Sequence, residues 1–148
     1  MGRGDAGVLG IRRALAGLEP QPIESDALEA ALHVRRLVRH RCLAIVLTDL
    51  YESSSSGRLA QAAGLLAPKH LPMMIGLLGG EVWSLLEGEA AEWLDPYRSL
   101  AARAYVRQVR GNIARLGQLG ALAMTARPEE LDRKVLTQYG LLRAQHRI

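Results

Sequence analysis

The run CLAIVLT, residues 42–48, contains no charged residue and ends at Asp49. A strand with one solvated face alternates apolar and polar residues, whereas an uninterrupted apolar run is typical of a parallel strand covered on both faces. In open parallel sheets the ligand crevice lies at the carboxyl ends of the strands. The run therefore predicts a buried strand that places Asp49 at the functional edge of a sheet.

Two further apolar runs, residues 71–78 and 121–126, predict a second and a third strand. Segments with helical periodicity alternate with the strands: residues 8–18, a helix opened by Asp26, and residues 58–67, 95–119 and 129–145, with a short helical or irregular piece at 81–94. This alternation indicates right-handed crossovers and a parallel sheet. We predict an α/β fold, a three-stranded parallel sheet with helices on both faces, in one domain spanning 1–148 with a flexible tail at 1–7.

The composition fits a folded chain, with 49% hydrophobic and 23% charged residues. Cys42 is the one cysteine, so it cannot form an internal disulfide, and its place in the apolar run predicts a small buried side chain in a reducing, cytoplasmic protein. The net charge of +4 comes from scattered Arg residues without interleaved aromatics, which argues against nucleic-acid binding. No apolar stretch approaches the ~20 residues of a membrane-spanning helix.

The usual sequence signatures of enzymes are absent. Gly79-Gly80 lacks the spacing of a phosphate-binding loop, zinc-ligand spacings do not occur, and the serines at 53–56 have no evident base nearby in sequence. Hard oxygen ligands of the kind that Mg²⁺ prefers are found at Ser25-Asp26 and Thr48-Asp49. Asp26 is equally well explained as a helix cap, and Asp49 as an anchor for the following turn.

Three segments resemble a known family: IRRALAGLEPQPIESDALEAALHVRRLVRHRCLAIVLTDL, KHLPMMIGLL and AYVRQVRGNIARLGQLGALAMTARPEELDRKVLTQYGLLRA. Their order and spacing are similar to the carboxyl-terminal half of a von Willebrand factor A-like domain. The closest resemblance is to a bacterial family of unknown function that is often encoded beside MoxR-type AAA+ ATPases. It covers about residues 9 to 146.

The resemblance implies candidate metal ligands. Such domains hold a metal ion with an Asp-x-Ser-x-Ser loop, a Thr and an Asp from three loops, and Ser25 and Asp49 match the second and third of these. The Asp-x-Ser-x-Ser loop has no counterpart, so the chain looks like a half-domain without its first three strands. The resemblance thus implies an incomplete site at which Mg²⁺ binds weakly, if at all.

The resemblance also implies a non-enzymatic role. It predicts a protein-interaction module that assists the assembly or maturation of other proteins, with a MoxR-type ATPase as the partner. The alternative is a small α/β enzyme or ligand binder that uses the crevice near Asp49 and the loop at 51–57.

A strand without its neighbour becomes an edge, and unpaired edge strands pair with other chains unless charges or prolines prevent it. The sequence therefore predicts a homodimer through strand 42–48, with Cys42, Ala44, Val46 and Thr48 at the interface. In the alternative, helix 8–18 folds over the edge and the chain is a monomer.

Overall fold

The computed structural model describes residues 5–19, 22, 25–51, 57–87 and 93–147. Its elements are, in chain order, α1 (Asp5–Ala16), α2 (Ala27–Leu37), β1 (Leu43–Thr48), α3 (Arg58–Leu66), β2 (Leu71–Leu77), α4 (Gly80–Glu87), α5 (Asp95–Gln118), β3 (Leu122–Ala126) and, after a 3-10 turn at Pro128–Glu130, α6 (Leu131–Ala144). This order agrees with the prediction.

The three strands form one open sheet in the order β1-β2-β3, and both pairings are parallel. Val46 is in register with Met74, and Met74 with Ala123. Pro72 lacks an N–H, and the pairing of β2 with β3 begins one residue later, at Met73. The prediction of an α/β fold with a three-stranded parallel sheet is confirmed.

One face of the sheet is covered by α2, α3 and α5. Met74 of β2 is fully buried on this face, among apolar side chains that include Ala31, Leu59, Ala63, Leu66, Val109 and Leu116. Small residues dominate α3, which lets this helix lie close to the strands. Ala44 and Val46 of β1 and Ala123 of β3 pack against the same cluster, so the three helices are held over all three strands.

The opposite face is covered by α6. Met73 and Ile75 of β2 are fully buried there, and Leu131, Val135 and Leu142 of α6 pack in the same cluster. Adjacent residues of β2 thus point into two different clusters, which is why this strand shows the continuous apolar run that the sequence displays.

The prediction that strand 42–48 is covered on both faces is wrong. Ile45 and Leu47 point to the face that α6 covers, and they are 46% and 55% exposed. The cause is position: α6 packs over β2 and β3, whereas β1 lies at the edge of the sheet. A continuous apolar run therefore corresponds to a buried central strand at β2 and to a partly exposed edge strand at β1.

The ends of two helices follow local signals in the sequence. Asp26 caps α2, since its Oδ1 accepts hydrogen bonds from the backbone N–H groups of Leu28 at 2.9 Å and Glu29 at 3.2 Å. Gly120 follows α5 with a positive φ of 85°, and the N–H of Ala121 donates to the carbonyl of Leu116 at 3.1 Å. That left-handed residue closes the helix and turns the chain into β3.

The start of α1 and the buried face of α5 add detail to the predicted helices. α1 begins at Asp5, while residues 1–4 lie outside the described residues. On α5, Val109 and Leu116 are buried together with Ala102, whereas Tyr97 and Leu100 near the start of the helix are exposed. The first residue of α5 in the core cluster over the sheet is Tyr105, nearly three turns after the helix begins. No helix within the described part of the chain is both long and apolar enough to span a bilayer.

Cys42 lies at the amino end of β1 and is half-buried. Its Sγ is 3.4 Å from Nδ1 of His70, a residue that is only 1% exposed. Burial lowers the pKa of His70, and the nearby charges of Lys69 and Arg35 lower it further. The neutral imidazole is therefore favoured, and the two side chains join the amino ends of β1 and β2.

Candidate functional site

The carboxyl edge of the sheet brings together the start of α2 and the end of β1. In a parallel α/β unit a helix that precedes a strand begins at the edge where that strand ends. Asp26 at the start of α2 forms an ion pair with Arg58 at the start of α3. Because α3 follows β1, this pair ties both helix starts to the edge that carries Asp49.

Asp26 is used structurally. One carboxylate oxygen caps α2 and the other pairs with the Arg58 guanidinium. The cap alone contributes about 1 kcal/mol in typical helices. Of the two interpretations that the sequence allowed for Asp26, the geometry agrees with the helix cap.

Asp49 is held by two tyrosines. Its Oδ1 accepts hydrogen bonds from the backbone N–H of Tyr51 at 2.8 Å and from the hydroxyl of Tyr105 at 3.1 Å. The two tyrosine rings stack, with centroids 4.9 Å apart and planes 17° from parallel. Tyr105 comes from α5, so the carboxylate joins the loop after β1 to the longest helix of the fold.

The residue after Asp49 anchors the same loop in the core. Leu50 is 1% exposed, and its carbonyl accepts a hydrogen bond from Asn112 Nδ2 at 2.8 Å. A Cβ added at Gly76 of β2 would lie 2.8 Å from Cγ of Leu50. The absence of a side chain at Gly76 therefore makes room for Leu50, and Leu50 fixes where Asp49 stands.

A crevice of about 580 Å³ opens beside the tyrosine pair, between α4 and α5. Its walls are mostly apolar, and its polar groups come from both tyrosines, Arg98 and Gln108; the remaining lining residues are Val82, Leu85, Ala101, Ala102 and Ala104. Clefts of roughly 300–1,000 Å³ with apolar walls and a few polar groups are typical of binding sites. The carboxyl edge thus has a recess as well as a carboxylate.

The environment of Tyr105 changes its acidity. Partial burial raises the pKa of Tyr105 above its ordinary value of 10, and the hydrogen bond and negative charge of Asp49 raise it further. Because the folded-state pKa is the higher one, this contribution to stability is fully present below about pH 10 and is lost as the pH rises through the folded-state pKa.

We expect tyrosinate absorbance to show one late step above pH 10 that the Tyr105→Phe variant lacks. The Tyr105→Phe variant should also lose less stability than the parent between neutral and alkaline pH. Tyr51→Phe is the control, because it keeps the stacked ring and leaves the Tyr105–Asp49 hydrogen bond intact. A late step that survives in Tyr105→Phe would show that another tyrosine causes it.

The structure places Ser25 exposed, one residue before the Asp26 cap, and Asp49 at the same edge of the sheet. No cluster of three or more His, Cys, Asp or Glu side chains suited to a metal ion occurs among the described residues. Arg58 and Tyr105 donate to the two carboxylates that a cation would need. This donor set does not fit a site in which the protein holds Mg²⁺ through several oxygens.

We expect Mg²⁺ and Mn²⁺ to bind with dissociation constants no better than about millimolar, since one hydroxyl and one carboxylate leave most of the ion's shell to water. Isothermal titration calorimetry on the parent and on Asp49→Asn measures the constant. A micromolar constant that Asp49→Asn abolishes would contradict this expectation.

Of the residues predicted at a dimer interface, Ala44, Val46 and Thr48 lie on β1, and Cys42 directly precedes it. Ala44 and Val46 point to the face that α2 and α3 cover. The backbone carbonyl of Cys42 points to β2, where it accepts a hydrogen bond from the N–H of Leu71 at 2.9 Å. The more exposed side chains of the strand are Ile45 and Leu47, which the sequence prediction did not include. The serines at 53–56 lie outside the described residues.

Sequence reasoning missed the tyrosine pair. Tyr51 lies two residues after Asp49, and Tyr105 lies on α5 at helical spacing from Ala102 and Val109, which are buried. Models of known protein families, curated proteins and solved structures were all searched, and none matches the chain. The resemblance to a von Willebrand factor A-like domain therefore stays a prediction.

Proposed function

We propose that the chain is a non-enzymatic protein-interaction module, similar to a von Willebrand factor A-like domain, that binds its partner at the carboxyl edge of the sheet. The observation that carries this proposal is the apolar crevice beside the stacked Tyr51 and Tyr105. The partner that the sequence resemblance suggests is a MoxR-type AAA+ ATPase, with which the module would assist the assembly of other proteins.

The chemistry of the crevice suits a protein segment. Tyrosine and arginine are enriched among the residues that dominate binding energy at interfaces, and they surround pockets that receive an apolar anchor. Exposed Arg103, Arg107 and Arg110 form a stripe on the side of α5 opposite the crevice-lining residues Ala101, Tyr105 and Gln108. We infer that the bound segment inserts an apolar or aromatic side chain between α4 and α5 and forms hydrogen bonds with polar groups of the lining such as Gln108.

The lining argues against catalysis in the crevice. The described residues that line it include no His, Cys, Ser or Lys, and the lining side chains that could act as acids or bases are Tyr51 and Tyr105. The hydroxyl of Tyr105 donates to Asp49, and the raised pKa of Tyr105 disfavours the tyrosinate that a base would need. The second candidate function, a small-ligand binder, is favoured by the crevice volume of about 580 Å³.

Site-specific photocrosslinking in the source cells distinguishes the two functions. A photoreactive amino acid replaces Ala101, which lines the crevice, or Ala114, an exposed alanine of the same helix that does not line it. We expect a protein adduct from position 101 that is about tenfold stronger than from position 114 and that Tyr51→Ala diminishes, since removal of one aromatic anchor typically lowers affinity by this order.

Equal adducts from both positions, or adducts that Tyr51→Ala leaves unchanged, would overturn the proposed site. A small molecule that copurifies with the parent and is lost in an Ala101→Trp variant, seen by native mass spectrometry, would favour the ligand binder instead. Ala114→Trp is the matched control for that measurement.

A further inference from the structure

β1 has a free edge within the described sheet. The sheet order β1-β2-β3 gives it one neighbour, β2. The carbonyl of Cys42 faces β2, because it accepts from the N–H of Leu71, and backbone groups of successive residues in a strand point in opposite directions. The N–H and C=O groups of Leu43, Ile45 and Leu47 therefore point away from β2.

Apolar surface borders this edge on both faces. On the helix side, an apolar groove of about 250 Å³ runs between α2 and β1 and is lined by Val34, Ala44 and Val46 among others. On the other side, Ile45 and Leu47 are exposed. β1 has no charged or proline residue, which are the usual devices that keep an edge strand from pairing.

We propose that a second copy of this chain occupies the edge, with the two β1 strands antiparallel across a two-fold axis. The register follows from the outward residues. If Ile45 of one copy lies opposite Ile45 of the other, then Leu43 lies opposite Leu47, and every outward N–H and C=O of these three residues gains a partner. The strand is thus complementary to itself, as a closed two-fold contact requires.

The surfaces beside the edge fit the same occupant. In this register Ile45 contacts its own copy, and Leu47 contacts Leu43, on the side that α6 leaves uncovered. On the helix side the two α2 helices approach each other, and α2 exposes Leu32 and Leu37. β1 contains no charged residue, so charge complementarity does not favour another strand over a second β1.

The dimensions of the contact are those of a small interface. A strand of this length extends about 20 Å, and one sheet with one helix layer is about 20 Å thick. A contact of these dimensions covers about 400 Å² per copy, half of the roughly 800 Å² per partner of a standard stable interface, and the backbone hydrogen bonds between the two β1 strands add to it. The inference is independent of the crevice at the carboxyl edge, which the proposed function uses.

Light scattering behind a sizing column at micromolar concentration gives the mass of the particle. We expect twice the chain mass of 16.1 kDa for the parent. Leu47→Lys should give the mass of one chain, because each lysine would bring a charge against apolar residues of both copies. Leu136→Lys is the matched control, since Leu136 is a leucine on α6 that is 68% exposed against 55% for Leu47, and this variant should stay dimeric.

Disulfide trapping tests the register even if Leu47→Lys fails to fold. In a Cys42→Ser background, Ile45→Cys should cross-link about tenfold faster than Leu47→Cys, because only residue 45 faces its own copy at the separation a disulfide needs. Random collision would favour residue 47, which is the more exposed of the two. Faster cross-linking at 47 would overturn the register.

A particle of 16.1 kDa at micromolar concentration would overturn the dimer and would agree with α1 folding over the edge of its own chain. A parent chain that purifies with another protein bound to β1, displaced by Leu47→Lys, would also overturn it. Crevice variants such as Tyr51→Ala should leave the mass of the particle unchanged. The particle mass therefore tests the dimer, and the crosslinking experiment tests the crevice, independently of each other.

Discussion

The Ile75→Asp variant is expected to be unfolded at 25 °C, while Leu77→Asp stays folded. Both residues lie on β2 and point to the same face of the sheet, but Ile75 is 0% exposed and Leu77 is 41% exposed. An aspartate at 75 would be buried among Met73, Ala126 and Leu142 without a partner. The unpaired buried carboxyl costs about 5 kcal/mol or more and the loss of the isoleucine contacts about 2–5 kcal/mol, a sum comparable to a typical total stability of about 5–15 kcal/mol.

Urea unfolding followed by circular dichroism measures both variants. Leu77→Asp should lose about 1 kcal/mol, as substitutions at half-exposed positions commonly do. A cooperative transition for Ile75→Asp near that of the parent would mean that β2 is not the buried centre of the sheet. Equal loss in both variants would mean that α6 covers the end of β2 more fully than the structure indicates.

Gly76→Ala is expected to lower the free energy of unfolding by about 1–3 kcal/mol, because overpacking a filled core forces neighbours to move. The added Cβ would meet Cγ and Cδ1 of Leu50 at 2.8 and 2.9 Å, and Leu50 is buried and held through its carbonyl by Asn112. Gly79→Ala is the control, since a Cβ there meets nothing within 4 Å.

The same variant carries a second readout at the site. Movement of Leu50 would displace the adjoining Asp49, so the pKa of Tyr105 in Gly76→Ala should fall back toward its ordinary value of 10. Gly79→Ala should keep the late tyrosinate step. A Gly76→Ala variant as stable as the parent would show that Leu50 has room to shift. That result would contradict the inference that packing of Leu50 against Gly76 of β2 positions Asp49.

The positions of the strands could be predicted from the sequence because charge-free runs stand between prolines, glycines and helical segments. The burial of each strand could not be predicted in the same way. CLAIVLT and LPMMIGL are both continuously apolar, although the first forms the edge strand of the sheet and the second the central strand. Their difference arises from where α6 packs, which is a long-range contact.

The candidate site was predictable only in part. Asp49 and Ser25 were assigned to one edge by the alternation of helices and strands, and the topology agrees. The hydrogen bond between Asp49 and Tyr105 joins residues that are 56 positions apart in the chain, and no local sequence pattern predicts it. The pairing of Asp26 with Arg58 is similarly distant and gives the second carboxylate a structural role.

The strand order also bears on how the chain folds. Every pairing in the sheet is parallel, so none can begin as a hairpin, and each must close a loop that contains at least one helix. The stretch from Leu43 to Leu71 is shorter than that from Met73 to Leu122, and closing the shorter loop costs about 0.5 kcal/mol less chain entropy. This difference slightly favours the assembly of β1, α3 and β2 before β3 docks. During that interval β2 has its own unpaired side, and association between incomplete chains competes with the arrival of β3.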